Sequence, residues 1–243
     1  MKAHRSGREL SRKRSVGPQP GLNDRVAIVG TVYSPLSLRH ALQLSPGDLD
    51  YLELRVDHFA RDREGLLRAV TRFRVPLIIT VRHLAEGGAE RLSFEKRRQL
   101  FMEFLPFAAM IDVELRSLRS LAGFLDRARS AGVGVILSSH HFRTTPPLTQ
   151  LAKIVRRGKA AGADIVKVAA QVNDASAVQR LLSLFAKPAG VPLSVMGMGT
   201  FGKVSRLLFA RAGSVLNYGY LGEPQINGQW EAGQLKRRVA ELE

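Results

Sequence analysis

The chain is constrained most by a rhythm of short aliphatic runs. Eight of them recur, at Val26–Val32, Tyr51–Val56, Val75–Val81, Met110–Leu115, Val133–Ser138, Asp164–Ala169, Val191–Met196 and Ser214–Tyr218. Between them lie stretches whose apolar residues fall three or four apart, such as Leu66, Leu67, Val70 and Phe73, or Leu118, Leu121 and Leu125. Each is long enough for a crossover helix. The runs are continuously apolar rather than alternating, as expected of a parallel sheet covered on both faces. Eight strand–helix units in about 220 residues predict an α/β chain of the (β/α)8 barrel type, with an open doubly wound sheet as the other arrangement. Residues 1–22 have glycine, proline and charge but no apolar period, so they are expected to form a disordered basic tail ahead of one barrel domain at 23–243.

Composition closes off several functional classes. With 45% hydrophobic and 24% charged residues, the chain is too apolar for general disorder. No apolar run approaches the roughly 18 residues of a membrane span, and the charged N-terminus has no apolar core behind it, so neither anchor nor signal peptide is expected. Cysteine is absent, which removes disulfides, thiolate chemistry and Cys-ligated zinc and fits a reducing cytoplasm. His4, His40, His58 and His83 form no cluster and there is no HExxH, so neither metal nor cofactor is expected. The formal net charge of +16 raises nucleic acid as a partner. Yet the basic residues (Arg61, Arg63, Arg68, Arg72, Arg97, Arg98, Arg156, Arg157, Arg237 and Arg238 among them) are scattered, and aromatics make up only 7%. That leaves few platforms for base stacking, and the reading is a solvated Arg-rich surface rather than a nucleic-acid site.

Barrel enzymes keep their sites at the C-terminal ends of the strands. There this sequence collects Glu53 and Arg55, Thr80-Val81-Arg82, Ser138-Ser139-His140-His141, Lys167, and Met196-Gly197-Met198. Glu53 and Arg55, two apart, share one face of a strand, pointing either both in or both out. Asp112-Val113-Glu114-Leu115-Arg116 echoes Asp50-Tyr51-Leu52-Glu53-Leu54-Arg55 with the same Glu and Arg spacing. Lys167 stands in the middle of an apolar strand, where a buried ammonium costs several kcal/mol unless paired. Either it reaches a carboxylate, or it loses its proton and becomes an amine nucleophile for a carbonyl. His140 and His141 are adjacent and face opposite sides, so at most one shares a cavity with Lys167. Gly197-Met198-Gly199-Thr200-Phe201-Gly202 is formally a GxGxxG, but it follows the seventh strand and position 217 is Asn, so a dinucleotide is not expected. With Lys203 and Arg206 behind it, this loop reads instead as a seat for an anion, phosphate or carboxylate. Gly219 to Gly233 has no apolar period and reads as a loop over the barrel mouth.

Taken together, these segments resemble type I 3-dehydroquinate dehydratase, a barrel family that works through a lysine imine. The resemblance runs from about Arg25 to the C-terminus. It is carried by Glu53-Leu54-Arg55-Val56-Asp57, Thr80-Val81-Arg82 with Glu86-Gly87-Gly88, Asp112-Val113-Glu114, Ser138-Ser139-His140-His141-Phe142, Asp164-Ile165-Val166-Lys167-Val168-Ala169, Met198-Gly199, Ser205-Arg206 and Gly228-Gln229. It implies that Lys167 forms the imine and that His140 moves the proton. Glu86 joins them as a catalytic position. It further implies that Glu53, Arg55 and Arg82 order the ring hydroxyls, that Arg206 and Gln229 hold the carboxylate, and that Met198 and Tyr218 wall the site, Tyr218 standing where the family usually has Phe. Gln225 is the other candidate for the loop contact. The implied substrate is 3-dehydroquinate and the implied assembly a cytoplasmic homodimer without cofactor. The other readings are a class I aldolase barrel, which also uses an imine lysine, and a basic binding protein without activity.

Overall fold

In a computed structural model that describes residues 26–242, all eight apolar runs are parallel strands. They are β1 (Ala27–Val32), β2 (Tyr51–Arg55), β3 (Leu77–Thr80), β4 (Ala108–Glu114), β5 (Gly134–His141), β6 (Ile165–Gln171), β7 (Leu193–Met198) and β8 (Leu216–Tyr220). The helices α1 (Pro35–Gln43), α2 (Arg63–Val70), α3 (Phe94–Phe104), α4 (Ala122–Ser130), α5 (Leu148–Ala160), α6 (Ala175–Leu182) and α7 (Gly202–Arg211) link successive strands, and α8 (Ala232–Ala240) follows β8. The sheet runs β7-β6-β5-β4-β3-β2-β1-β8, so the last strand returns to the first and the open-sheet alternative falls. The basic tail assigned to residues 1–22 lies outside the described residues.

Local chemistry explains where the helices begin. Ser34 and Ser37 form a reciprocal capping box with Pro35 behind it, and the side chains of Asp62, Ser93, Asp174 and Glu231 cap α2, α3, α6 and α8. In α5 the residue over β6 is Gly158. A Cβ there would stand 2.6 Å from Val166, so glycine sets the close approach of helix to strand. The outer face of the sheet buries two apolar layers, one under α1–α4 and α8 and one under α5–α7.

The inside of the barrel is divided by height. Val29, Ile78, Met110, Ile136 and Ile165 fill the lower part. Above them the same inward parity carries Glu53, Thr80, Asp112, Ser138, Lys167 and Tyr218, all buried. Arg97 corrects the reading of scattered surface arginines. It lies on the inner side of α3, 3% exposed, donating to the Val81 carbonyl, Ser117 and Glu114.

The seam between β7 and β8 is closed with little ladder. Val215 N–H donates to Leu193 O at 2.9 Å, the Ser194 hydroxyl to Leu216 O at 2.7 Å, and Val195 N–H to the Ser214 hydroxyl at 3.0 Å. Ser214→Ala leaves the Val195 N–H buried without an acceptor. The expected loss is about 1–3 kcal/mol in denaturant unfolding, with amide exchange accelerated first at this seam. An unchanged midpoint would show that backbone contacts alone close the barrel.

Candidate active site

The charged upper half of the barrel is organised by Asp112. It is fully buried on β4 and takes both terminal nitrogens of Arg82 (3.0 and 2.9 Å), the Ser138 hydroxyl (2.6 Å) and Lys167 Nζ (2.9 Å). Burial opposes its ionisation, but Arg82 and Lys167 outweigh burial and hold its carboxyl well below the usual range. Lys167 also donates to Glu53 at 3.3 Å, and its Nζ lies 3.7 Å from the centre of the Tyr218 ring. Of the two fates open to a mid-strand lysine, pairing is the one seen. Glu53 is further held by the Thr80 hydroxyl (3.0 Å) and Arg82 (3.5 Å).

Glu53 and Arg55 do share the inward face, but they do not pair with each other. Arg55 binds Asp57 through Nε (3.0 Å) and a terminal nitrogen (2.8 Å) and donates to Gly87 O. Asp57 in turn accepts the backbone N–H of Arg82 and of Ala89, so one buried carboxylate fixes Arg55 and the chain after β3. The echo at Glu114 and Arg116 breaks down in space. Glu114 bridges Arg82 and Arg97, whereas Arg116 sits in the turn after β4, half exposed. Asp57, Asp112 and Glu114 had received no role from the sequence, although a carboxylate within or just after an apolar strand is the same signal that marked Lys167.

Alternation along β5 turns His140 toward the cavity and His141 away, to the Ser139 hydroxyl at 3.0 Å. Burial lowers the His140 pKa well below 6.5, and Arg82 and Lys167 reinforce it, so the ring is neutral near pH 7. Glu86, on the turn after β3, meets both the His140 backbone N–H and ring Nδ1 at 3.0 Å. Burial, then repulsion from Glu114, raises Glu86 to about 7. Ionised Glu86 accepts from Nδ1–H and leaves Nε2 as the basic nitrogen.

Arg206 is the largest fully buried side chain. It donates to the Tyr218 carbonyl at 2.6 Å, its Nε has no partner, and no carboxylate faces it among the described residues. Burial lowers its pKa to about 10. An uncompensated guanidinium of this kind is a receptor for an anion.

The glycine-rich loop corrects the expected anion seat. Gly199 N–H donates to Asn227 O, Phe201 N–H to Val172 O and Gly202 N–H to Gly199 O, so these donors are spent within the protein. A Cβ on Gly202 would strike Gly228, and Gly199 adopts φ +88°. The glycines let the β8–α8 loop pack onto the start of α7. Lys203 points to Trp230, and only Arg206 remains for the anion.

That loop does lie over the mouth. Gln229 is buried, its carbonyl oxygen taking the N–H groups of Gln225 (2.7 Å) and Ile226 (3.2 Å), which leaves its amide nitrogen to donate. The Gln225 side chain turns instead toward His58. Met198, Phe142, Ile226 and Asn227 line a cleft of about 270 Å³ at the rim. The structure therefore brings Lys167, His140, Glu86, Glu53, Arg55, Arg82 and Tyr218 together, with Met198, Arg206 and Gln229 at the loop side.

Residues 31–242 match the family described as Type I 3-dehydroquinase. The 3-dehydroquinate dehydratase of Methanocella arvoryzae is 33% identical over 209 residues, which cover 86% of this chain and 93% of the relative. Type I 3-dehydroquinate dehydratase from Clostridium difficile, solved with covalent modified comenic acid, superposes with a TM-score of 0.81 at 26% identity, over 90% of this chain and 92% of that one. 3-Dehydroquinate dehydratase from Geobacillus kaustophilus reaches 0.82 at 24% identity, over 93% and 97%, a likeness of fold.

The raised Glu86 carboxyl gives a pH signature that needs no substrate. A carboxyl that binds its proton more tightly when folded contributes stability below its ordinary value of 4.5, and that contribution is lost as pH rises through about 7. The stability gap between wild type and Glu86→Gln should therefore shift by roughly 3 kcal/mol against wild type from pH 4.5 to 8. Urea titrations across that range measure it. A gap independent of pH would mean Glu86 ionises normally.

Proposed function

The chain belongs to the type I 3-dehydroquinase family and is a dehydratase, a carbon–oxygen lyase; from that premise we propose that it converts 3-dehydroquinate to 3-dehydroshikimate by syn loss of water through an imine on Lys167. The observation that carries this reading is a strand lysine and a neutral histidine on one inner face, with an unpaired arginine near the loop.

In this reading neutral His140 relieves the Lys167 ammonium of one proton. The freed Nζ forms a C–N bond with the ketone carbon, the oxygen takes one proton from the amine and the one held by His140 and leaves as water, and a protonated imine remains beside a neutral His140. The imine draws electrons from the adjacent C2–H bond, and His140 Nε2 takes that proton to give an enamine. The enamine then expels the C1 hydroxyl, protonated by the same imidazole, and hydrolysis of the imine frees the product. One water leaves overall, and the water lost in forming the imine is returned at its hydrolysis. Glu86 holds the tautomer of His140. Glu53, Arg55 and Arg82 order the ring hydroxyls, while Arg206 and Gln229 bind the carboxylate beneath the loop, against walls made by Met198 and Tyr218. The shikimate pathway, aromatic amino acid biosynthesis, a homodimer and a cytoplasmic setting belong to this proposal as well.

Borohydride with 3-dehydroquinate should add one covalent ligand at Lys167, read by intact mass, and Lys167→Ala should abolish both trapping and turnover. Full activity in that variant would end the imine reading. His140→Ala should lose roughly 10²–10⁴-fold in kcat while still accumulating imine; a larger loss from His141→Ala would reassign the base. For the loop, Gln229→Ala should lower kcat/KM about tenfold to a hundredfold, and Gln225→Ala much less, because a charge-assisted bond to the carboxylate is worth about 1.5–3 kcal/mol. The reverse order would move the contact to Gln225.

A further inference from the structure

The phenol of Tyr218 is a hydroxyl without work in the free protein. Its oxygen is buried inside the barrel and has no hydrogen-bond partner among the described residues. The hydroxyls around it are spent, Thr80 on Glu53, Ser138 on Asp112 and Ser194 on the Leu216 carbonyl. A buried hydroxyl left unpaired is unfavourable and is removed at little cost to the fold by Phe, so a donor held in this state points to a ligand that completes it.

Position says which ligand atom. Lys167 Nζ rests against the face of this ring, 3.7 Å from its centre. A carbonyl carbon within bonding distance of Nζ lies beside the same ring, and the oxygen it carries comes within reach of the ring's hydroxyl. Resting on the lyase reading above, we propose that Tyr218 Oη donates a hydrogen bond to the oxygen on the carbon that Lys167 attacks, first the ketone oxygen and then the carbinolamine hydroxyl. The phenol remains a donor throughout. Burial raises its pKa well above 10, and Glu53 and Asp112 push the same way. It gives up no proton of its own. As Nζ forms the C–N bond, the carbonyl electron pair moves onto the oxygen, and the bond from Oη strengthens as that charge grows. Tyr218 is thus a catalytic donor for making and breaking the imine, in addition to being a wall of the site.

Tyr218→Phe deletes one oxygen and keeps the ring, and its two effects should have opposite signs. In the free protein, loss of an unpaired hydroxyl should raise Tm by about 2–4 °C, as expected for roughly 1 kcal/mol in a chain of this size. In rapid-quench borohydride trapping with 3-dehydroquinate, the rate of imine formation should fall about tenfold, and kcat/KM with it. A wild type that traps normally beside a variant with the same trapping rate overturns this proposal and leaves the lyase reading intact. A fall in Tm overturns it too, because the hydroxyl would then be a structural bond. A wild type that adds no ligand at all overturns the lyase reading, and this donor with it.

Discussion

Charge buried inside the barrel must be balanced by charge, and the rest of the site follows from how that is done. Unpaired ions in such a place are strongly disfavoured. Four cations, Arg55, Arg82, Arg97 and Lys167, stand among five carboxyl groups, Glu53, Asp57, Asp112, Glu114 and Glu86. The four carboxylates with direct cation bonds are satisfied, Asp112 and Asp57 most fully. The surplus falls on Glu86, which meets a histidine instead of a buried cation and is raised to about 7 by burial and then by Glu114. Burial, reinforced by Arg82 and Lys167, keeps His140 neutral. A single electrostatic arrangement therefore stores an ammonium, a free base and a carboxyl poised near neutrality within one cavity.

Arg206 stands apart from that balance. It is buried as deeply as Arg82 but faces no acid among the described residues, and its only bond is to a backbone carbonyl. The two arginines illustrate how context divides one residue type. Arg82 is bound to Asp112, Glu114, Glu53 and Ser138, so its charge is balanced within the protein, whereas Arg206 keeps its charge for an incoming anion. The β8–α8 loop is fixed through Gly199, Gly228 and Gln229 onto the start of α7, the helix that carries Arg206.

The barrel was legible in the sequence because its determinants are local. Continuous apolar runs fit strands covered on both faces, three-and-four spacing fits helices packed on one side, and eight repeats leave room for closure. The strand ends were legible for the same reason: alternation alone separates His140 from His141, and a lysine between Val166 and Val168 cannot face a helix layer without cost. Those facts singled out Lys167, set His140 and His141 on opposite faces and put Glu53 on the same face as Arg55; the choice of His140 and the carboxylate role of Arg206 came from the resemblance.

Contacts between residues far apart in sequence were decided only by the tertiary structure. That Asp112, 55 positions from Lys167 and 30 from Arg82, holds both is a matter of strand register and barrel curvature. That Arg97 turns inward from α3, that Arg55 answers to Asp57 rather than Glu53, and that the glycine loop spends its N–H groups on its neighbours all depend on which surfaces meet. Local periodicity determines which face a side chain occupies, because backbone geometry repeats every two or 3.6 residues. It carries no information on the partner across the barrel, since that is set by packing distances that no stretch of sequence contains by itself.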